Sequence, residues 1–101
     1  MPAVSRITDD LTTGHVCTTI TQIDTSNTNR SVTANDLDII VIGAPTVSHT
    51  NPPSPACPPH VAELNAGSPS LFINGIAVGR ITDSADAGAM IEGSQSVFAE
   101  D

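Results

Sequence analysis

Gly67-Ser68-Pro69-Ser70-Leu71-Phe72-Ile73-Asn74-Gly75-Ile76-Ala77-Val78-Gly79-Arg80-Ile81-Thr82-Asp83 is the stretch whose reading decides the fold of this 101-residue chain. Ser70 to Ile73 form a short apolar run, and Ile76 to Ile81 return with apolar residues. Asn74-Gly75 lies between them, and these two residue types tolerate the positive φ that a type I′ hairpin turn demands. The stretch therefore reads as a β-hairpin. Its parts recur. Val78-Gly79-Arg80-Ile81-Thr82-Asp83 aligns with Val4-Ser5-Arg6-Ile7-Thr8-Asp9, with five of the six positions identical, and Gly88 then falls on Gly14. Gly67-Ser68-Pro69-Ser70-Leu71-Phe72 aligns with Gly93-Ser94-Gln95-Ser96-Val97-Phe98. A degraded copy lies between them, with Ser31 to Ile39 tracking Ser70 to Val78 and Asn35-Asp36 standing where Asn74-Gly75 stands. The reading is three copies of one strand-turn-strand unit, circularly offset so that one copy is split between the two termini. Units of this kind bury their apolar faces only by packing on one another.

On these residues the chain resembles the PAAR-repeat proteins, small conical domains that tip the trimeric β-helical spike of contractile phage tails, type VI secretion systems and related injection machines. The resemblance spans nearly the whole chain. It is carried by Gly67-Ser68-Pro69, Phe72-Ile73-Asn74-Gly75, Arg80-Ile81-Thr82-Asp83, Thr13-Gly14-His15, Cys57-Pro58-Pro59-His60 and Gly93-Ser94 with Val97-Phe98. The Pro-Ala-Ala-Arg signature itself stands here as Ala77-Val78-Gly79-Arg80, and the Gly that usually precedes the final Asp of the motif is Thr82. The fold implied is all-β: one cone-shaped domain over residues 1–101, made of three quasi-equivalent hairpins with pseudo-threefold symmetry and a structural metal near the apex.

Composition narrows the function classes. One domain is all that 101 residues allow, and with no Trp or Tyr and only Phe72 and Phe98 as aromatics the core is built from Val, Ile, Leu and Ala. Domains this small with thin cores commonly depend on a metal, a disulfide or a partner. A net charge of −8 with only Arg6, Arg30 and Arg80 as cations argues against nucleic acid and anionic membrane surfaces. The start of the chain lacks a charged-then-apolar signal sequence, and Ile39-Ile40-Val41-Ile42 is too short to cross a bilayer. Synthesis in the cytoplasm is expected.

Along the chain, residues 3 to 9 and 15 to 23 read as strands, 24 to 30 as a polar loop, and 37 to 42 as a strand buried on both faces. Residues 43 to 59 carry six of the eight prolines and are expected to be neither central strand nor helix interior. A single helical turn is expected near 60 to 65, and strands at 70–73, 76–81, 88–92 and 95–98.

The metal-ligating residue types are His15, His49, His60, Cys17 and Cys57. Cys57-x-x-His60 has the short spacing with which one loop supplies two donors, and four-coordinate structural zinc takes thiolate with imidazole. The resemblance implies zinc held by three His and one Cys, which matches His15, Cys57 and His60 within their motifs and leaves His49 by elimination. The Pro-rich segment at 43–60 then serves as a metal-binding loop. Iron is also accommodated by such ligands. Cys17 is the rival ligand, because two residues from His15 on a strand it faces the same side. A Cys17–Cys57 disulfide is the other alternative, disfavoured by cytoplasmic assembly.

Four protein ligands close the coordination sphere, and the nearest carboxylate in sequence is Glu63; no phosphate loop, nucleophile elbow or paired-carboxylate motif is present, so an enzyme is not expected. Asp9 and Asp83 are read as turn residues accepting backbone hydrogen bonds. The resemblance implies a membrane-piercing tip, one copy per spike trimer and not a homo-oligomer, that touches the target outer membrane only transiently. Because the chain stops at Asp101 without attached cargo, a virion tail tip on a phage baseplate is expected ahead of the tip of a type VI secretion system. The competing expectation is a free-standing metal-stabilised β domain that binds a small ligand or stores metal.

Overall fold

In the computed structural model, residues 2–26, 32–53 and 55–99 are described. The expected polar loop at 24–30 therefore lies partly outside the described residues, as do Ser31 and Arg30. Five antiparallel strand pairs are formed among the described residues. They are β1 (Asp10–Thr12) with β2 (Ile20–Gln22), β3 (Thr33–Ala34) with β4 (Leu37–Asp38), β5 (His49–Thr50) with β6 (Pro59–His60), β7 (Phe72–Ile73) with β8 (Ile76–Ala77), and β9 (Ser84–Ala85) with β10 (Gly88–Ala89). No helix is present among the described residues, so the helical turn expected near 60–65 is absent. There Glu63 bridges Pro45, and Leu64 bridges Ala85.

A closed ring of backbone hydrogen bonds sits at the middle of the fold. The Ser5 N–H donates to the Gly79 carbonyl (2.9 Å), the Gly79 N–H to Ile40 (2.9 Å), and the Ile40 N–H to Ser5 (3.1 Å). Single β-bridges flank it in the same cyclic sense: Val4 with Arg80, Arg6 with Ile39, and Val41 with Val78. Three chain segments thus cross one axis, each donating to one neighbour and accepting from the other. Only a pseudo-threefold arrangement satisfies all of their buried backbone groups this way. The copies inferred from sequence superimpose on the ring: 4 with 39 and 78, 6 with 41 and 80, 9 with 44 and 83.

The motif Arg-Ile-Thr-Asp now has a physical meaning. The Asp9 N–H donates to the Arg6 carbonyl and the Asp83 N–H to the Arg80 carbonyl, closing four-residue turns. The third residue of each turn has positive φ, 69° at Thr8 and 77° at Thr82, as a type II turn requires. Threonine is poorly suited to that conformation. Each turn is clamped by its ends: the Asp9 carboxylate accepts from the backbone N–H of Arg6 (2.8 Å) and from its guanidinium (3.0 and 2.9 Å). Asp83 does the same with Arg80. In the middle copy Val41 and Ala44 stand at the clamp positions without a clamp, and the positive-φ position is Gly43 at 93°, where glycine is unstrained.

On one side of the ring lie the base hairpins. β3–β4 turns on Asn35-Asp36 (φ 55° and 67°), and β7–β8 turns on Asn74-Gly75 (φ 53° and 78°), the expected left-handed pairs. The third is completed by the chain ends, where Phe98 bridges Ala3. Residues from equivalent positions form a buried cluster of Val4, Ile39 and Val78 with Ala34, Ile73 and Ala99. On the other side a second cluster contains Ile23, Leu64 and Met90, again one from each copy, packed with Leu11, Ala85, Ala44 and Ile40. Ile39, Ile40 and Val41 are all buried, as expected for a segment covered on both faces. The axis admits one bulky group at the ring itself. Ile40 takes it, and a Cβ on the equivalent Gly79 would lie 3.0 Å from Ile40 and 2.5 Å from Leu64.

From this second cluster three arms run away from the base: 9–23, 44–64 and 83–90. The Pro-rich segment is arm two; among its described residues it holds no central strand and no helix, and its strand is confined to the two-stranded β5–β6 pair. Pro59 is tolerated as the first residue of β6, and the Pro45–Glu63 bridge is made by neighbours, the Thr46 N–H donating to Ala62 and the Leu64 N–H to Ala44, so Pro45 needs no N–H there. The molecule is elongated, 40 × 23 × 21 Å.

Candidate metal centre

The three arms, of unequal length, deliver four side chains to one point. Arm one supplies His15. Its Thr13-Gly14-His15 motif works by a left-handed Gly14 (φ 75°), whose missing Cβ would otherwise sit 2.1 Å from the Ala87 carbonyl oxygen, letting arm one touch the turn of arm three. Arm two supplies His49 and His60, which are directly opposite each other across β5 and β6 and so share a face. Arm three supplies Asp86, in the tight turn between β9 and β10 at φ 55°, a conformation that Asp tolerates.

The Nε2 atoms of all three histidines converge on Asp86 Oδ2, at 2.9 Å from His15, 2.8 Å from His49 and 3.2 Å from His60. The four ligand atoms lie within 4.8 Å of one another. The other ring nitrogen of His15 donates to the Val16 carbonyl (3.0 Å) and that of His49 to the Val47 carbonyl (2.8 Å). Such bonds fix the tautomer that turns the Nε2 lone pair toward a metal. The rings of His15 and His49 are stacked at 5.4 Å, with His60 edge-on to both.

Charge explains why a cation fits. A carboxylate and a carbonyl only accept, and His15 faces one at each ring nitrogen, Val16 O and Asp86 Oδ2. The bond to Val16 raises the His15 pKa, and Asp86 raises it further against the opposing effect of burial. Burial would push the Asp86 carboxyl up, but the hydrogen bonds from His49, His60 and His15 outweigh it and hold Asp86 below its ordinary value. Three imidazole nitrogens around one carboxylate oxygen are a crowded arrangement. One divalent ion replacing the Nε2 protons leaves three neutral imidazoles and a carboxylate around it, a donor set that suits first-row divalent metals. These residues fit a metal ion, and its identity is not fixed by them.

The expected set is therefore corrected at one position. His15, His49 and His60 come together; Cys57 does not join them. Its sulfur is bonded to Cys17 (S–S 2.06 Å, Cα–Cα 5.8 Å), so neither cysteine has a thiolate to offer, and the disfavoured disulfide is the pairing found. It ties the tip of arm one to the tip of arm two. Asp86 stands where the fourth ligand was expected. Sequence reasoning passed over it because it is 26 residues from His60 and belongs to no ligand motif. One signal was available: between Asp83 and Glu92, Asp86 is the only titratable residue on the third repeat's arm. Glu63, the nearest carboxylate in sequence, is exposed and outside the cluster; its backbone carbonyl accepts from the Asp86 N–H (3.2 Å).

Compared with known proteins, the chain matches no family model and no curated protein.

Proposed function

We propose that this chain is a structural tip: a metal-braced point whose pseudo-threefold base seats one copy on a trimeric partner, as the resemblance to PAAR-repeat proteins implies for the spike of a contractile injection machine. The observation that carries the reading is the cyclic ring of Ser5, Ile40 and Gly79 with its equivalent residues at the base. A monomer with three like faces is what a three-chain pedestal needs.

The base also has the right surface. Val32, Leu71 and Val97 occupy equivalent positions there, and so do Thr33, Phe72 and Phe98. Phe72 is 53% exposed and Phe98 46%, the only two aromatic residues of the chain, both left partly in water at one end. Apolar groups grouped at one end mark a surface that another protein covers. Base hairpins β3–β4 and β7–β8 are two-stranded, and an unpaired strand edge can extend a partner's ladder. At the opposite end, arms with sparse side chains are locked by the metal and the disulfide, so that force along the axis meets a stiff point. No turnover is required.

Mixing the chain with a trimeric β-helical spike protein from a contractile injection machine of the same genome, and measuring the complex by native mass spectrometry, tests this. One chain per trimer is expected, and replacing Phe72 and Phe98 by Asp should abolish the complex without lowering the melting temperature. Failure of the native chain to bind, or equal binding by the variant, overturns the reading.

A further inference from the structure

We infer that the base is hollow at its centre and that a trimeric partner fills the hollow with apolar side chains, one from each of its three chains. The inference rests on the seating proposed above and adds the shape and chemistry of the partner's end.

The hollow lies among the three copies. It is a cavity of about 530 Å³, with Val32, Leu71 and Val97 around it and the buried Ile39 and Val78 among its walls. That trio stands at one depth, because their carbonyls accept three equivalent backbone hydrogen bonds: from Ile39 to Val32 (3.0 Å), from Val78 to Leu71 (3.0 Å) and from Val4 to Val97 (3.1 Å). Each copy therefore supplies one aliphatic side chain to the same opening. The fold does not cover them: Val32 is 41% exposed and Leu71 37%. Cavities of roughly 300–1,000 Å³ take whole drug-sized molecules, so this one has room for several side chains at once.

Chemistry and symmetry select the occupant. No charged residue lines the cavity, and Thr33 and Asn74 are the only polar residues that do. A ligand with a charged head would lose its hydration there without gaining a partner, whereas an apolar side chain gains by leaving water. Three like walls are matched by three like groups about an axis, as the end of a trimer presents them. A second copy of this chain fits less well. It brings an equal hollow, and two hollows face to face enclose a larger void whose lining has no atoms to touch.

The test is the affinity of the full chain for the spike protein used above, measured beside a variant with the hollow filled, Val32→Phe with Val97→Phe. At least tenfold weaker binding is expected, because the added bulk takes the partner's place even though the base becomes more apolar. Equal or tighter binding at an unchanged melting temperature means that the partner meets a flat apolar face; it overturns the hollow while the threefold seating stands. If the filled variant melts below the native chain, Leu71→Ser keeps the hollow and makes one wall polar, and at least tenfold weaker binding is again expected. Binding by Leu71→Ser as tight as by the native chain overturns the inference. Dimers of the native chain that the filled variant does not form assign the hollow to a second copy and overturn it too. No complex with the native chain overturns the seating and this inference together.

Discussion

The two ends of the molecule treat the same threefold repeat in opposite ways. At the base the three copies pack alike: Val4, Ile39 and Val78 are buried together, and in two of the copies Asn-Asp and Asn-Gly make the same left-handed turn. At the apex the copies diverge. Arms of unequal length supply one histidine, two histidines and one aspartate, and a disulfide joins only two of the three. Repetition would suit an end that meets a symmetric partner, as proposed above, since each copy then meets an equivalent environment. A metal centre needs donors that converge, from whatever chain positions reach the point. The difference teaches that symmetry here is a property of the packing and the coordination chemistry departs from it.

The largest expected effect comes from the ring where the two ends meet. Ile40 alone fills the axis, so Ile40→Ala opens a cavity that neither Ser5 nor Gly79 can fill. A loss of about 2–5 kcal/mol is expected from chemical denaturation. A loss under 1 kcal/mol would show that the copies can close around the axis without it.

Removing the metal should affect the apex next most strongly. At free metal a hundredfold above its dissociation constant, binding adds about 2.7 kcal/mol. A domain of this size then loses roughly 10–20 °C in melting temperature on chelation. Hydrogen exchange should increase at residues 13–19, 49–60 and 85–88 while the base ring stays protected. Uniform loss of protection would erase the distinction between the ends.

A smaller effect of opposite sign is expected at the turns. Thr8→Gly and Thr82→Gly relieve left-handed threonine and should each stabilise by about 1 kcal/mol, read as a raised melting temperature. Gly43→Thr, with no Arg–Asp clamp across it, should destabilise by a similar amount. Destabilisation by both Thr→Gly changes would contradict the strain assigned to the motif.

The smallest effect is the pH dependence, and its sign differs between the loaded and chelated protein. Asp86 is lowered from 3.8, so its contribution is present above that value and lost as pH falls through the folded pKa. His15 is raised from 6.5, so its contribution is present below that value and lost as pH rises through the folded pKa. The chelated chain should therefore gain stability from this pair between the two, as pH falls from 8 toward 5. The loaded chain should lose stability over the same interval, because protons compete with metal for imidazole. Parallel melting curves for the two forms would show that the histidines do not hold a metal.

What was legible in the sequence follows the same division. The base could be read because Asn-Gly, Val-x-Arg-Ile-Thr-Asp and the Gly-Ser…Phe half-unit recur with side chains in equivalent places, and local turn chemistry leaves few alternatives. The split copy at the termini was equally visible, and Phe98 does pair with Ala3. Arm two was hidden by its prolines, which weaken a strand pattern while still permitting Pro59 to begin one. Three of the four cluster residues were found because histidine is rare in this chain. Asp86 was not, since its one distinction, being the only titratable residue between Asp83 and Glu92, does not by itself mark a ligand among eleven acidic residues. Cys57 was drawn into the ligand set by its spacing to His60, and spacing along one arm cannot reveal that Cys17 approaches it from another.

X-ray absorption at the metal edge of the purified, metal-loaded chain tests the convergence of the three arms most directly. The account predicts one ion per chain surrounded by three imidazole nitrogens and at least one oxygen at about 2.0–2.2 Å. A sulfur neighbour at about 2.3 Å, or a chain that takes up no metal, would contradict it.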